Sequence, residues 1–239
     1  MTAASSTPAL AIAHVVKDYR GLRPLRLAAL TVREGERVSL AGFDRASAEI
    51  FINLINGAVL PDTGEVRVFG QRTADIEHEA EWLSTLDRFG IVTERSILLE
   101  GSTVAQNLTL PFHLDIEEIP ADVMATVTAL AEETELGGER LHRPAAHAGP
   151  AIRVRVHLAR ALATSPRLLL MEHPTASLPR EDVAPFADLV RTVVSARGLT
   201  LVALNEDEEF AARACETSVK LQPATGAFVS TRGWRRFFR

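Results

Sequence analysis

The chain has 239 residues, of which 46% are hydrophobic, so it can form one large domain with a substantial core. A net charge of −5 argues against a dedicated nucleic-acid binder, and no apolar run has the length of a membrane span. Cys215 is the only cysteine, which excludes an internal disulfide and suits a cytosolic location. We find no signal peptide, and we expect the small, polar residues 1–8 to form a frayed end.

The first part of the chain is predicted to contain strands at residues 9–15 and 25–32, with Tyr19 in the turn between them. A short buried strand is predicted at residues 37–40 and a loop at residues 42–47. From about Ala46 the pattern becomes helical, because Ile50, Phe51 and Leu54 fall on one face, and Gly57 can end the helix. A strand, a glycine-led loop and a helix in this order are the frame of a phosphate-binding P-loop.

The rest of the chain alternates between predicted strands and helices, which is typical of the α/β class. A turn at residues 60–64 precedes a strand at 65–69. Pro120 is well placed at the start of a helix, and residues 152–163 are amphipathic. The further predicted elements are strands at 90–93, 167–171 and 199–204, a long helix with its apolar face from Val183 to Val193, and a closing hairpin at 217–221 and 227–230.

Several segments in register resemble the nucleotide-binding subunit of an ATP-binding cassette (ABC) transporter. They are residues 61–66 (PDTGEV), 103–111 (TVAQNLTLP), 158–163 (LARALA) with Pro166, and 168–175 (LLLMEHPT). The segment 103–111 is most similar to the branch that serves lipoprotein-release, macrolide-export and cell-division permeases. The resemblance implies a P-loop NTPase-like α/β core with an antiparallel β subdomain. It also implies one domain over residues 1–239, with an α-helical subdomain inserted at about 95–150.

The resemblance places the chemical positions of the family on this sequence, and most of them carry other residues. Gly42 matches the first P-loop glycine, but the second glycine falls on Ser47, the lysine on Ala48 and the Mg²⁺-binding hydroxyl on Glu49. Tyr19 matches the aromatic residue that stacks on adenine. The Q-loop glutamine, the Walker B aspartate, the catalytic glutamate and the switch histidine fall in turn on Glu94, Glu172, His173 and Glu206. The signature sequence falls on Ala148, Gly149, Pro150, Ala151 and Ile152.

These residue types predict weak binding of MgATP. The P-loop lysine has no nearby replacement, because Lys17 and Lys220 are the only lysines. We expect the carboxylate of Asp44 or Glu49 to occupy the space that a phosphate would fill, since carboxylates stabilise helix N-termini. Because both the P-loop and the signature are altered, pairing with an active subunit would leave both composite ATP sites damaged.

Several of these positions have alternative interpretations. Arg45 either contacts phosphate or is a solvated loop charge, and His173 is either a general base or a strand-end side chain without a catalytic role. Tyr19 either stacks on a base or only packs. A metal site without nucleotide would need carboxylates from Glu49, Glu94, Glu172 and Glu206.

The favoured hypothesis is a pseudo-ATPase, a structural or regulatory subunit beneath a membrane permease, with no catalytic residues, no metal and no resident cofactor. The expected partners are a permease and a second ABC subunit, in a homodimer or a heterodimer, on the cytoplasmic face of the membrane. The permease is expected to dock on Glu94, Arg95, Ile97, Leu98 and Leu99, unless these apolar residues fill the subdomain core.

The rival hypotheses are an active ATPase with unusual residues, which would use ATP and Mg²⁺, and a soluble adaptor without a permease. The basic, aromatic tail at residues 233–239 could contact headgroups or a partner, or could be a frayed terminus.

Overall fold

A computed structural model describes residues 7–76 and 78–231 of the chain. The interpretations of the first six residues and of the tail at 233–239 therefore lie outside the described residues. Among the described helices, none combines the length and the apolar character needed to cross a membrane.

The first strands form an antiparallel sheet in the order β2-β1-β4-β5. Its strands are β1 (Leu10–Lys17), β2 (Leu25–Val32), β4 (Thr63–Val68) and β5 (Gln71–Arg72). In β2, Leu25, Leu27, Leu30 and Val32 are buried while Arg26 and Thr31 are exposed, so one face of this sheet packs on the core. The predicted antiparallel β subdomain is confirmed.

The second sheet has the order β10-β9-β3-β8-β7-β6 and is parallel except for the β9–β10 hairpin. Its strands are β3 (Arg37–Ala41), β6 (Phe89–Val92), β7 (Leu168–Glu172), β8 (Thr200–Leu204), β9 (Thr217–Gln222) and β10 (Ala227–Ser230). Every residue of β7 and β8 is buried, as expected for central strands covered on both faces.

Helices cover the parallel sheet and form a separate group beside it. They are α1 (Arg45–Ile55), α2 (Glu79–Leu86), α3 (Val104–Thr109), α4 (Ala121–Glu133), α5 (Pro150–Leu162), α6 (Arg180–Arg197) and α7 (Glu208–Ala214). Short 3₁₀ turns lie at Thr73–Asp75, Gly138–His142 and Ala145–His147.

Separate hydrophobic clusters underlie this architecture. One lies between the two sheets and α1, and another lies between the parallel sheet and the α6–α7 pair. A third joins Leu98 to α3, α4 and one face of α5, where Val156 and Ala159 are fully buried. This third cluster gives the helical segment its own small core.

The start of α1 differs from the predicted loop at residues 42–47. The helix begins at Arg45, because the side chain of Asp44 caps it by accepting from the Ser47 N–H. Residues 45–47 therefore belong to the first turn of the helix, and the loop after β3 spans only residues 42–44.

Candidate functional site

The carboxyl ends of the parallel strands meet at one edge of the sheet. The register pairs Leu40 with Leu204, Leu204 with Glu172 and Met171 with Val92. Because these strands are parallel neighbours, the loops that follow β3, β8, β7 and β6 lie side by side. The fold thus brings together the predicted positions Gly42, Glu206, His173 and Glu94, which are far apart in sequence.

Gly42 opens the loop after β3, and the geometry requires glycine there. Its φ is +89°, and a Cβ at this position would lie 2.6 Å from the Leu221 carbonyl oxygen. Its N–H donates to Oε1 of Glu206 at 2.5 Å. An amide that faces the mouth of the loop is therefore already bonded to a carboxylate of the same chain.

Asp44 caps the N-terminus of α1. Its Oδ1 accepts from the Ser47 N–H at 2.8 Å and from the Ser47 hydroxyl at 2.6 Å. The hydroxyl bond from Ser47, and next the bond from the Ser47 amide, hold the pKa of Asp44 below its ordinary value. Of the two carboxylates expected at this helix N-terminus, Asp44 is the one that caps it.

Glu49 does not share that role, which corrects the alternative that it caps the helix. It lies in the second turn of α1, and its carboxylate forms an ion pair with Nη1 of Arg95. Ala48, at the position that the resemblance gives to lysine, is fully buried in the main core, and Ser47 is 7% exposed.

Arg95, which the sequence predicts in the docking patch, also contacts the carboxyl end of the parallel sheet. Its Nη2 donates to Oε2 of Glu172 at 2.6 Å. Its Nε donates to the Thr93 hydroxyl at 3.3 Å, and its Nη1 contacts Glu49. Glu172 ends β7 and is 4% exposed, so a buried carboxylate receives its counter-ion from the loop after β6.

Glu94 also joins the loop after β6 to α1 and to the loop after β7. Its Oε2 accepts from Nη2 of Arg45 at 3.3 Å, and its Oε1 accepts from the Ser177 hydroxyl. The Arg45 side chain is 80% exposed, which favours the interpretation of Arg45 as a solvated loop charge that pairs with Glu94.

His173 follows β7 in a left-handed conformation, with φ +44°. Its N–H donates to the Leu204 carbonyl at 2.8 Å, which anchors the loop to β8. Within the described part of the chain, its buried Nε2 has no hydrogen-bond partner. The histidine makes a smaller contribution to the lowered pKa of Asp44.

Tyr19 lies in the turn after β1 and packs against the main core. A Cβ on Gly21 would lie 2.6 Å from the Tyr19 ring, so the turn folds closely over the aromatic side chain. Burial raises the pKa of Tyr19, and the Asp44 carboxylate raises it further. The packing of the ring against the main core favours the packing interpretation.

Two cavities open at this edge of the sheet. A cavity of about 160 Å³ is lined by Arg45, Thr93, Glu94, Arg95, Glu172 and His173. A larger cleft of about 410 Å³ lies between the loop after β6, the first turns of α5 and the loop after β7. The predicted signature segment contributes Pro150 to this cleft, while Gly149 is the N-cap of α5 without a side-chain cap.

The other signature positions have structural contacts. The Ala148 carbonyl accepts from Nε of Arg153 at 2.9 Å, and the Ala151 carbonyl accepts from Nη1 of Arg155 at 2.8 Å. Ile152 packs against the helical core.

His157 also lines the larger cleft, although no sequence motif includes it. Burial, with help from nearby Arg160 and Arg153, lowers its pKa from 6.5 to about 4. Its buried Nδ1 has no partner among the described residues. A single histidine on an amphipathic helix carries no sequence signal that would have distinguished it from a surface residue.

The predicted docking patch is split by the structure. Ile97 is 79% exposed and Leu99 is 41% exposed, whereas Leu98 is 5% exposed and belongs to the helical core. The assignment of Leu98 to a docking surface is therefore wrong, because adjacent residues of this segment point in different directions. Ile97 and Leu99 remain available at the surface.

The site does not fit a magnesium–triphosphate group as it is arranged. The Gly42 and Ser47 amides are bonded to Glu206 and Asp44, and the Arg95 guanidinium lies between Glu49 and Glu172. In the described ranges, no group of three or more histidine, cysteine, aspartate or glutamate side chains is arranged to hold a metal ion. The alternative of a metal site built from Glu49, Glu94, Glu172 and Glu206 is therefore not supported.

Comparison with known proteins places this fold in a family. The family model "ABC transporter" matches residues 25–176. A methionine import ATP-binding protein of Caulobacter vibrioides is 33% identical over 78% of this chain and 55% of its own length. A lipoprotein-releasing system ATP-binding protein of Alcanivorax borkumensis is 29% identical over 87% of this chain and 92% of its own.

The chain spans little more than half of the first methionine-import relatives, 55% of one and 58% of another. Among solved structures, the bacterial ABC transporter cassette MJ0796 has a TM-score of 0.74 at 23% identity, covering 94% of this chain and 99% of that one. The cbiO1 subunit from Clostridium perfringens has a TM-score of 0.79 at 17% identity, with coverage of 93% and 87%. The chain therefore belongs to the ABC transporter family and has the fold of its ATP-binding cassettes.

Proposed function

We propose that this protein is a pseudo-ATPase, an ABC cassette that acts as a structural or regulatory partner of a membrane permease without using ATP. The observation that supports this proposal most strongly is the Arg95 guanidinium between Glu49 and Glu172. The resemblance assigns Mg²⁺ coordination to these two positions. A protein cation fills the space between them, so Mg²⁺ would have to displace it.

The charges around the loop after β3 also oppose a triphosphate. Asp44 occupies the end of the helix that would attract phosphate, and Glu206 bonds the Gly42 amide. A unit charge pair at ~4 Å is worth about 4 kcal/mol at an effective dielectric of 20. This chain has Ala48 where the family has a lysine, and it adds the carboxylates of Asp44 and Glu206 nearby. These differences should therefore weaken nucleotide binding by several orders of magnitude.

The names of the relatives support a transport role. The relatives described above are ATP-binding proteins of a methionine importer and of a lipoprotein-releasing system. We propose that this chain likewise joins a permease and a second cassette, either identical or different, on the cytoplasmic face of a membrane. The surface proposed for the permease is centred on the exposed Ile97 and Leu99, with Glu100 at its rim.

Calorimetry with millimolar MgATP tests the proposal. We expect no resolved binding and no phosphate release above a no-protein control. A cassette from the same family with an intact P-loop serves as the positive control. A micromolar dissociation constant, or turnover that disappears in Glu172→Gln, would show instead that the chain is an ATPase with unusual residues.

Isolation of the tagged protein from membranes tests the partner. We expect a permease subunit to co-purify, and recovery of the chain only in the supernatant would favour the soluble adaptor. Mass measurement of the purified complex then distinguishes a homodimer from a heterodimer of cassettes.

A further inference from the structure

We infer that Arg95 holds the start of the helical subdomain against the α/β core through ionic contacts. No nucleotide is needed for this connection. The Arg95 guanidinium reaches two other elements, α1 through Glu49 and the end of β7 through Glu172, and it also contacts Thr93 in its own loop. We call this set of contacts the Arg95 bridge. Arginine suits the role because its donors are held in a rigid planar fork, so one side chain can join several acceptors.

Glu94, the residue before Arg95, repeats the pattern with the opposite charge. It pairs with Arg45 on α1 and accepts from Ser177 in the loop after β7. Arg45 and Glu49 are four residues apart, so they occupy the same face of α1. Glu94 and Arg95 therefore pair with Arg45 and Glu49, which lie on one face of α1. These two ion pairs define the register between the loop and α1.

The other end of the same segment is fixed to α5 and to α3. The Ile97 carbonyl accepts from Nη1 of Arg160 at 2.8 Å. Asn107, which is fully buried, accepts from the Leu99 N–H at 2.8 Å and donates to the Leu99 carbonyl at 3.0 Å. Residues 93–99 thus run as a continuous tie, with ionic contacts to the core at one end and hydrogen bonds to the helices at the other.

The consequence is a surface held in one position. Residues 94 and 95 are tied to the core, so the exposed Ile97 two residues later has little freedom to move relative to it. The inference rests on the proposed function only in assigning that surface to a permease. The bridge itself is a property of the isolated chain, and it should weaken at high salt because the Arg95 side chain is 42% exposed.

Amide hydrogen exchange on the isolated, nucleotide-free protein tests the bridge. The variant is Arg95→Gln, which keeps a polar side chain but shortens it and removes the charge. The matched control is Arg45→Gln, which removes the other arginine that lines the same cavity. We expect residues 96–109 to exchange about tenfold faster in Arg95→Gln and less than about twofold faster in the control, because local opening sets these rates. Arg95→Lys should give an intermediate rate.

A second variant shows whether the effect runs through the buried carboxylate. In a Glu172→Gln background, Arg95→Gln should change the exchange of residues 96–109 much less than it does in the natural protein. Equal exchange in Arg95→Gln and Arg45→Gln would overturn the inference, and so would an undiminished effect in the Glu172→Gln background.

Repeating the exchange with MgATP separates the two proposals. If nucleotide protects the natural protein while Arg95→Gln still loosens the nucleotide-free form, the pseudo-ATPase proposal fails and the bridge stands. If nucleotide has no effect and Arg95→Gln has none either, the bridge fails and the proposed function stands.

Discussion

Arg95 and Glu172 are joined at 2.6 Å, although one begins the helical segment and the other ends a central strand of the sheet. The pair is asymmetric, because the Arg95 side chain is 42% exposed and the Glu172 side chain only 5%. Water can solvate the guanidinium if its partner is lost, but it has little access to the carboxylate. This difference gives the two residues unequal roles in stability.

We predict that Arg95→Gln destabilises the protein more than Glu172→Gln. Loss of the arginine leaves a buried carboxylate without its ionic partner, at a cost of about 1–3 kcal/mol. Loss of the carboxylate leaves a half-exposed arginine that still pairs with Glu49, so we expect about 1 kcal/mol or less. Urea titrations of both variants measure the two free energies of unfolding. The reverse order would mean that the carboxylate is better solvated than its burial indicates.

The Asp44 cap should stabilise the protein in a pH-dependent way. Because folding lowers the pKa of Asp44, its contribution is complete above the unfolded value near 3.8 and is lost as the pH falls through the folded value. We expect Asp44→Ala to cost about 1 kcal/mol at pH 7, a typical value for an exposed cap. Asp44→Asn is the control, since asparagine also caps helices but does not titrate. A stability gap between natural protein and Asp44→Ala that stays constant from pH 6 to about 2.5 would contradict this assignment.

His157 should make the free energy of unfolding fall on acidification, and this fall should begin at a higher pH than the one caused by Asp44. Its folded pKa is about 4 against 6.5 for the ordinary side chain, so between these values the unfolded chain binds more protons. Stability from the neutral imidazole is therefore complete above pH 6.5 and falls as the pH drops towards 4. The total loss should reach about 3 kcal/mol, because the pKa falls from 6.5 to about 4 and each pKa unit corresponds to about 1.4 kcal/mol. Denaturant titrations of His157→Gln should lack this component, and an identical pH profile would argue against it.

Ile97 and Leu98 offer a matched pair of neighbouring aliphatic residues for the docking surface. Ile97→Asp changes a side chain that is 79% exposed, so we expect normal stability and weaker recovery of the membrane partner. Leu98→Asp places a charge in a core position that is 5% exposed and should destabilise the fold by roughly 3 kcal/mol or more. For each variant, a thermal unfolding measurement first checks that the protein is folded, and co-purification with the membrane partner is measured afterwards. Normal partner recovery by a folded Ile97→Asp variant would place the permease contact elsewhere.

Restoring the P-loop residue types should not restore turnover. The double variant Ala48→Lys with Glu49→Ser supplies a lysine and a hydroxyl, but it leaves Asp44 on the helix N-terminus and Glu206 on the Gly42 amide. Groups that act as a unit in catalysis are not additive, so two of them contribute little without the rest. Phosphate release by the double variant should remain at background. The separate variant His173→Ala, which we also expect to be inactive, serves as a comparison. Robust ATPase activity in the double variant would show that the remaining positions are competent.

The sequence by itself determined the fold class and the order of the elements. Hydrophobic periodicity predicted the buried strands at 167–171 and 199–204 and the long helix with its apolar face from Val183 to Val193, and the structure contains each of them. Such patterns are local, because whether a segment is buried on one face or two is encoded in its own residues. The resemblance also located the altered chemical positions along the chain.

Only the tertiary structure decided what those positions do. The sequence could not show that Asp44, rather than Glu49, caps α1, since both are acidic residues close to its start. Nor could it show that Arg95 bonds Glu172, 77 residues later in the chain. Alternation along a loop has no fixed period, so the directions of Arg95, Ile97 and Leu98 depend on which elements pack against them. Ion pairs between distant residues form only after the parallel strands have aligned their carboxyl ends, and no local pattern encodes that alignment.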